Sequence, residues 1–208
     1  MKKNYKVFLL IVVLIIYQSF LYLVSKLTPL DVTVLGNCLD NKIPFISIYI
    51  YFYISWYVML IIVPYLIYEY DEDAFYKYVM STFFIITVTS LIYIFFPTTI
   101  IRRPIIVNNL TTFLIDLIYR LDTPVMNCFP SMHCAISFLY IFIIFDSKVF
   151  PKKKKYFVYI WSLFVIASTL FINQHVIVDV ISAFILSLFI YTITCRSGLW
   201  KIIVIKEN

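Results

Sequence analysis

At 208 residues the chain has room for one domain, and 63% of it is hydrophobic against 13% charged. A soluble domain carries about 45–50% apolar and about 25% charged residues, so this composition excludes an ordinary water-soluble fold. With two glycines and no polar low-complexity tract, it also excludes disordered and fibrous chains. The net charge of +6 does not point to nucleic acid, because the basic residues sit in gaps between apolar runs, where they set topology or meet anionic headgroups. The expected class is an all-α polytopic transmembrane helix bundle, one integral-membrane domain over residues 1–208.

A hydrocarbon core of roughly 30 Å takes about 20 apolar residues as helix, and backbone groups in lipid must be bonded internally. On that scale about six spans follow in chain order. The first, Val7–Val24, follows Lys2, Lys3 and Lys6. It is longer than a signal-peptide core and lacks a small-residue cleavage site, so it reads as a retained anchor. A loop through Asp31, Asp40 and Lys42 leads to the aromatic second span, Phe45–Tyr68, which Pro64 is expected to bend. The acidic gap Glu69–Asp73 precedes a third span at about Phe75–Phe96. A long connection, Pro97–Pro130, carries Arg102-Arg103-Pro104, and Thr111–Arg120 within it reads as a short surface helix. The fourth span, Ser131–Phe145, is short. The charged gap Asp146–Lys155 leads to the fifth, Tyr156–Ile172, and after Asn173-Gln174 the sixth runs from about His175 to Cys195.

With the N-terminus inside, the inner segments hold 12 of the 17 basic residues: Lys2, Lys3, Lys6, Lys77, Lys148, Lys152–Lys155, Arg196, Lys201 and Lys206. Both termini are therefore expected in the cytoplasm. Four cysteines show no metal-ligand spacing. Cys38 and Cys128 fall in outer loops, where a disulfide is geometrically allowed, whereas Cys134 and Cys195 read as small apolar packing residues.

This topology brings three segments to the outer face: the loop with Arg102 and Arg103, the start of the fourth span with Ser131 and His133, and the start of the sixth with His175 and Asp179. The two histidines, all that the chain has, thus share one depth and one side. Ionisable residues at membrane depth are costly and mark function by default. His175 and Asp179 stand four apart at the head of a helix, hence on one face. Asp179 can accept the Nδ1 proton of His175 and leave Nε2 as nucleophile. Ser131 suits the cap of a helix entrance whose N–H groups bind phosphate, and His133 can protonate a leaving oxygen. Arg103 or Arg102 supplies the planar, permanently charged fork that matches phosphate oxygens.

Phe96-x6-Arg103-Pro104, Pro130-Ser131-Met132-His133 and Ser168-Thr169-x5-His175-x3-Asp179 together resemble the type 2 phosphatidic acid phosphatase superfamily. Its pattern is K-x6-R-P, P-S-G-H and S-R-x5-H-x3-D, and the agreement covers roughly Phe75–Cys195, the expected catalytic core. Phe129–Cys134 and the His-x3-Asp-Val turn look most like the inositol phosphorylceramide synthase and sphingomyelin synthase branch. The resemblance implies His133 as acid, His175 as the phosphohistidine, Asp179 as its orienting partner, and no metal or other cofactor. Phe96, Thr169 and Met132 depart from the family's Lys, Arg and Gly, so two phosphate-binding cations are missing. Fewer cations suit a phosphodiester carrying one negative charge better than a monoester dianion.

The expected function is a lipid-phosphate phosphatase or phosphotransferase at the extracytoplasmic face of the cell membrane, with a lipid phosphate as substrate. Water as acceptor makes a phosphatase and an alcohol makes a transferase; the residues leave that open. A headgroup transferase acting on phosphodiesters, and a non-catalytic lipid-binding or transport relative, stand as alternatives. A transporter is disfavoured by the lack of an internal repeat and by polar residues gathered at one face rather than at the midplane.

Overall fold

A computed structural model describes residues 2–27 and 31–204, with the backbone alone for residues 2–4. Lys206, counted above for topology, lies outside the described residues. The helices are α1 (Lys2–Lys26), α2 (Ile50–Tyr70), α3 (Glu72–Phe95), α4 (Leu110–Leu121), α5 (Met132–Asp146), α6 (Lys152–Phe171) and α7 (Ile177–Ser197). Five of them, α1, α2, α3, α6 and α7, are long and apolar enough to cross a membrane, and α5 is a shorter apolar helix. The chain is a multi-pass, all-α membrane bundle.

Local chemistry sets the helix ends. The Asp71 carboxylate accepts the Ala74 amide at 3.0 Å, and Glu72 and Asp73 complement the positive end of the helix dipole. The acidic gap expected between the second and third spans is therefore the end of α2 (Glu69, Tyr70), the cap Asp71 and the first turn of α3. Lys152–Lys155, expected as loop, likewise form the first turn of α6, against its dipole. Lys154 is held there over the Tyr70 ring, 4.5 Å from its centroid, and Lys155 donates to the Ser147 carbonyl. The second span begins later than expected. Pro44 and an extended Ile46 precede a 3-10 turn at Ser47–Tyr49, and α2 then runs through Pro64 without a break. Helix α4 covers the expected surface helix and is capped by Asn109 with Thr112. Gly198, at φ +69, closes α7 in the left-handed conformation that suits glycine.

Helix α5 is wrapped by α3, α6 and α7, and α1 lies against α3 and α2. Association in lipid depends on close packing and on polar groups that find partners across helices. Buried small hydroxyls recur at these contacts, including Ser81 and Ser90 on α3, Ser137 on α5 and Ser162 on α6. Ser187 of α7 donates to the Ala135 carbonyl of α5 at 2.8 Å, and Trp161 of α6 donates to Ser55 of α2 at 2.8 Å.

Two short strands were not expected from the sequence. β1 (Thr33–Leu35) pairs in parallel with β2 (Thr98–Ile100), in the register Thr33 with Thr98. They join the connection after α1 to the one after α3. Ile100 packs in a small buried cluster with Cys128 and Val176, immediately beneath the segment that carries His175. All four cysteines are free, with Cys38 exposed and Cys128 buried, so the allowed Cys38–Cys128 bridge is not formed.

Candidate active site

His133 sits in the first turn of α5, whose cap is Ser131. The Ser131 hydroxyl accepts the Cys134 amide at 3.4 Å and is fully buried, which commits it to the helix end. The amide of Ser131 donates to the Asp179 carbonyl at 3.3 Å, stitching the start of α5 to the start of α7. The His133 ring stacks on Tyr53, with centroids 4.5 Å apart, and tilts against Trp56 at 4.1 Å. These α2 aromatics fix its plane, and its Nε2 is buried with no hydrogen-bond partner.

His175 was expected inside the last helix. It instead lies in the turn before α7, whose cap is Val176. The Thr169 carbonyl folds that turn by accepting the amides of Gln174 at 2.9 Å and His175 at 3.0 Å. Asn173 takes the left-handed backbone, φ +55, that asparagine tolerates better than most residues. Tyr119 of α4 donates to the Ile172 carbonyl at 2.7 Å and pins the same turn from outside. The pairing expected from helical spacing still forms. His175 Nδ1 lies 3.2 Å from Asp179 Oδ2, which also accepts the Val176 amide at 3.0 Å. Asp179 is fully buried and His175 nearly so.

The two imidazoles come together with ring centroids 6.2 Å apart. Both line one cavity of about 260 Å³, together with Tyr53, Trp56, Tyr93, Asp122 and Gln174. Cys128 also lines it, but burial first, and then the Asp179 and Asp122 charges, push its thiol up to about 12. A thiol so placed stays protonated at neutral pH and is a poor nucleophile. Among the described residues, no group of three or more His, Cys, Asp or Glu side chains could hold a metal ion.

The two arginines separate. Arg102 is largely buried, forms an ion pair with Asp122, donates to Gln174 Oε1 at 2.5 Å, and lies over the Tyr119 ring at 4.6 Å. Arg103 is exposed. Its amide donates to Asn173 Oδ1 at 2.9 Å and its guanidinium to the Ile43 carbonyl at 3.0 Å. It borders a small recess that also touches His175 and Asp40. Phe96, where the family pattern has Lys, is half exposed. Thr169, where it has Arg, is buried, and its hydroxyl bonds to the Ile166 carbonyl at 2.8 Å.

Reasoning on the sequence missed Asp122. Its carboxylate receives the Arg102 guanidinium, the Lys26 ammonium at 3.0 Å and the Tyr22 hydroxyl. The partners come from α1 and from a loop, 20 to 100 positions away, so no local spacing announces them. The one available signal was an acidic residue just after a predicted surface helix, in a segment that also carries Arg102, Arg103 and Arg120.

No curated protein and no solved structure matches the chain. The family model of the PAP2 superfamily matches residues 7–202, and the chain therefore belongs to this superfamily of phosphoric ester hydrolases and phosphotransferases.

Proposed function

We propose that the protein cleaves a phosphate ester of a lipid through a phosphohistidine on His175, with His133 as the acid and then the base. The observation that carries this reading is the pair of imidazoles, 6.2 Å apart on one cavity, with a buried carboxylate behind one of them. A phosphoryl group placed about 3 Å from each reacting nitrogen fits that separation.

In the first step the His175 Nε2 lone pair forms a bond to phosphorus as the bond to the leaving alcohol oxygen breaks. Asp179 holds the Nδ1 proton, so that Nε2 is the free nitrogen and the charge that develops on the ring has a partner. His133 gives its proton to the departing oxygen, and the bound phosphate supplies the countercharge for its imidazolium. In the second step an oxygen of water or of an alcohol attacks phosphorus, the N–P bond breaks, and His133 takes the acceptor's proton. Arg102 Nε and the Gln174 amide nitrogen, buried without partners beside the cavity, hold the phosphate oxygens, while Arg103 faces the neighbouring recess. The Phe129–Cys134 motif resembles the headgroup-transferring branch and favours an alcohol as acceptor.

Six spans with both termini in the cytoplasm put this site at the extracytoplasmic face of the cell membrane, within a single domain whose catalytic core is residues 75–195. The span beyond the five long helices is the fourth in chain order, α5, about 22 Å long, which its neighbours shield from lipid. The Lys152–Lys155 run at the opposite end of the bundle supports this orientation.

The test is turnover by the purified protein in lipid, quenched in alkaline detergent and assayed for acid-labile, base-stable phosphate on the chain and for the lipid alcohol released. The reading expects both signals in the wild type and neither in His175→Ala. Equal release by the two proteins would overturn the phosphohistidine reading, and release by neither would leave a non-catalytic lipid-binding relative.

A further inference from the structure

Within the cavity that holds both histidines, the other side chains that line it include a single full charge, and it is negative: Asp122. Arg102 and Lys26 stand behind that carboxylate, each paired with it. The cluster of two cations and one anion thus carries one net positive charge. Two donors beside it are buried without partners, the Gln174 amide nitrogen and Arg102 Nε, and Gln174 lines the cavity. Unpartnered donors are therefore present beside the cavity, while the positive charge that accompanies them is halved by Asp122.

We infer that Asp122 is a specificity-determining residue that sets the charge the site accepts, favouring phosphodiester monoanions over phosphomonoester dianions. This rests on the phosphohistidine reading of the same cavity. The physical argument is Coulombic. A phosphomonoester carries close to two negative charges at neutral pH and a diester carries one. Both meet the same net charge across a protein interior of modest dielectric, and each meets the Asp122 carboxylate as a like charge. Removing that carboxylate relieves the dianion about twice as much as the monoanion, and it frees Arg102 to turn toward phosphate. The missing Lys and Arg at Phe96 and Thr169 act in the same direction, and Asp122 extends that trend from a loss of cations to the addition of an anion.

The experiment compares p-nitrophenyl phosphate with methyl p-nitrophenyl phosphate, which share a leaving group and differ by one charge. The readout is the ratio of kcat/KM for monoester over diester, followed through a series of cluster charges. Asp122→Asn raises the net charge by one and increases the ratio about tenfold. Lys26→Gln lowers the net charge by one and decreases the ratio by a similar factor. The double variant restores the net charge and returns the ratio to within about twofold of the wild type. Asp122→Glu keeps the charge and keeps the ratio. Lys26→Gln leaves Asp122 paired with Arg102, so it reads the effect even if Asp122→Asn folds poorly. A ratio that ignores the sign of the change, or a double variant that does not revert, overturns the inference while His175-dependent turnover stands. Turnover of either ester that is unchanged in His175→Ala overturns the phosphohistidine reading itself, and this inference with it.

Discussion

Asp40 Oδ1 accepts the backbone amide of Ile177 at 2.8 Å, across 137 positions of sequence. The first residue of α7 is thus bonded from outside the helix, by a carboxylate in the loop between β1 and α2. Asp40 is itself held by the Asn37 amide at 2.8 Å. The start of α7 orients Asp179, and Asp179 is bonded to His175, so the loop after α1 bears on the proposed nucleophile through α7. Asp40→Ala is expected to lower kcat about tenfold to a hundredfold, the scale of a misplacement near 1 Å. Asp40→Asn keeps an acceptor oxygen and most of the activity. Steady-state rates of the two variants beside the wild type decide it, and equal losses in both would show that charge, not the cap, is what matters there.

Asp179 is fully buried and holds one oxygen against both His175 Nδ1 and the Val176 amide. Asp179→Asn preserves volume but offers the ring a different tautomer and no countercharge. Turnover is expected to fall by about 10²–10⁴ with little change in KM. The alkaline-quench assay should show phosphohistidine forming correspondingly more slowly. Wild-type rates in this variant would remove Asp179 from the mechanism.

Far from the site, Asp71 caps α3 and also receives the Ser147 hydroxyl at 2.5 Å, so one carboxylate closes two helix ends. Asp71→Ala is expected to cost about 1–2 kcal/mol. That corresponds to a thermal midpoint lowered by about 2–8 °C, with kcat at moderate temperature unchanged. Differential scanning fluorimetry on the detergent-solubilised protein reads the shift, and a midpoint within error of the wild type would refute the capping role.

The long spans were legible because lipid imposes one requirement, an unbroken apolar helix, on every residue of each segment. Their ends were less so. Acidic Glu72 and Asp73, and basic Lys152–Lys155, look like loop by charge, yet the backbone keeps its helix where a cap or an aromatic neighbour holds it. The two histidines and Asp179 stood out because ionisable groups near lipid are rare. The same rule did not single out Asp122, which shares a long polar connection with Arg102, Arg103, Asp116 and Arg120. Arg120 and Asp116 pair with each other four residues apart on the exposed side of α4, whereas Asp122 turns toward the cavity and collects partners from α1. Which member of such a connection faces inward is decided by tertiary folding. The pairing of β1 with β2 is another long-range choice, and three-residue strands leave no periodicity to read.

The two outer-loop cysteines offer a test of both burial and orientation. Cys38 is exposed, in the same loop as Asp40. Cys128 is buried, and its thiol is raised to about 12, first by burial. Maleimides and iodoacetamide react with the thiolate, whose fraction grows only as pH approaches the thiol's pKa. At pH 7–8 Cys38 is therefore expected to label quickly and Cys128 to stay unmodified until the protein is denatured. With a membrane-impermeant maleimide on intact cells, labelling of Cys38 before lysis supports an extracytoplasmic site, since this loop reaches Ile177 through Asp40. Labelling that appears only after lysis would reverse the proposed topology and place the histidines toward the cytoplasm. Rapid modification of Cys128 at pH 7 in the folded protein would contradict its burial against Ile100 and Val176.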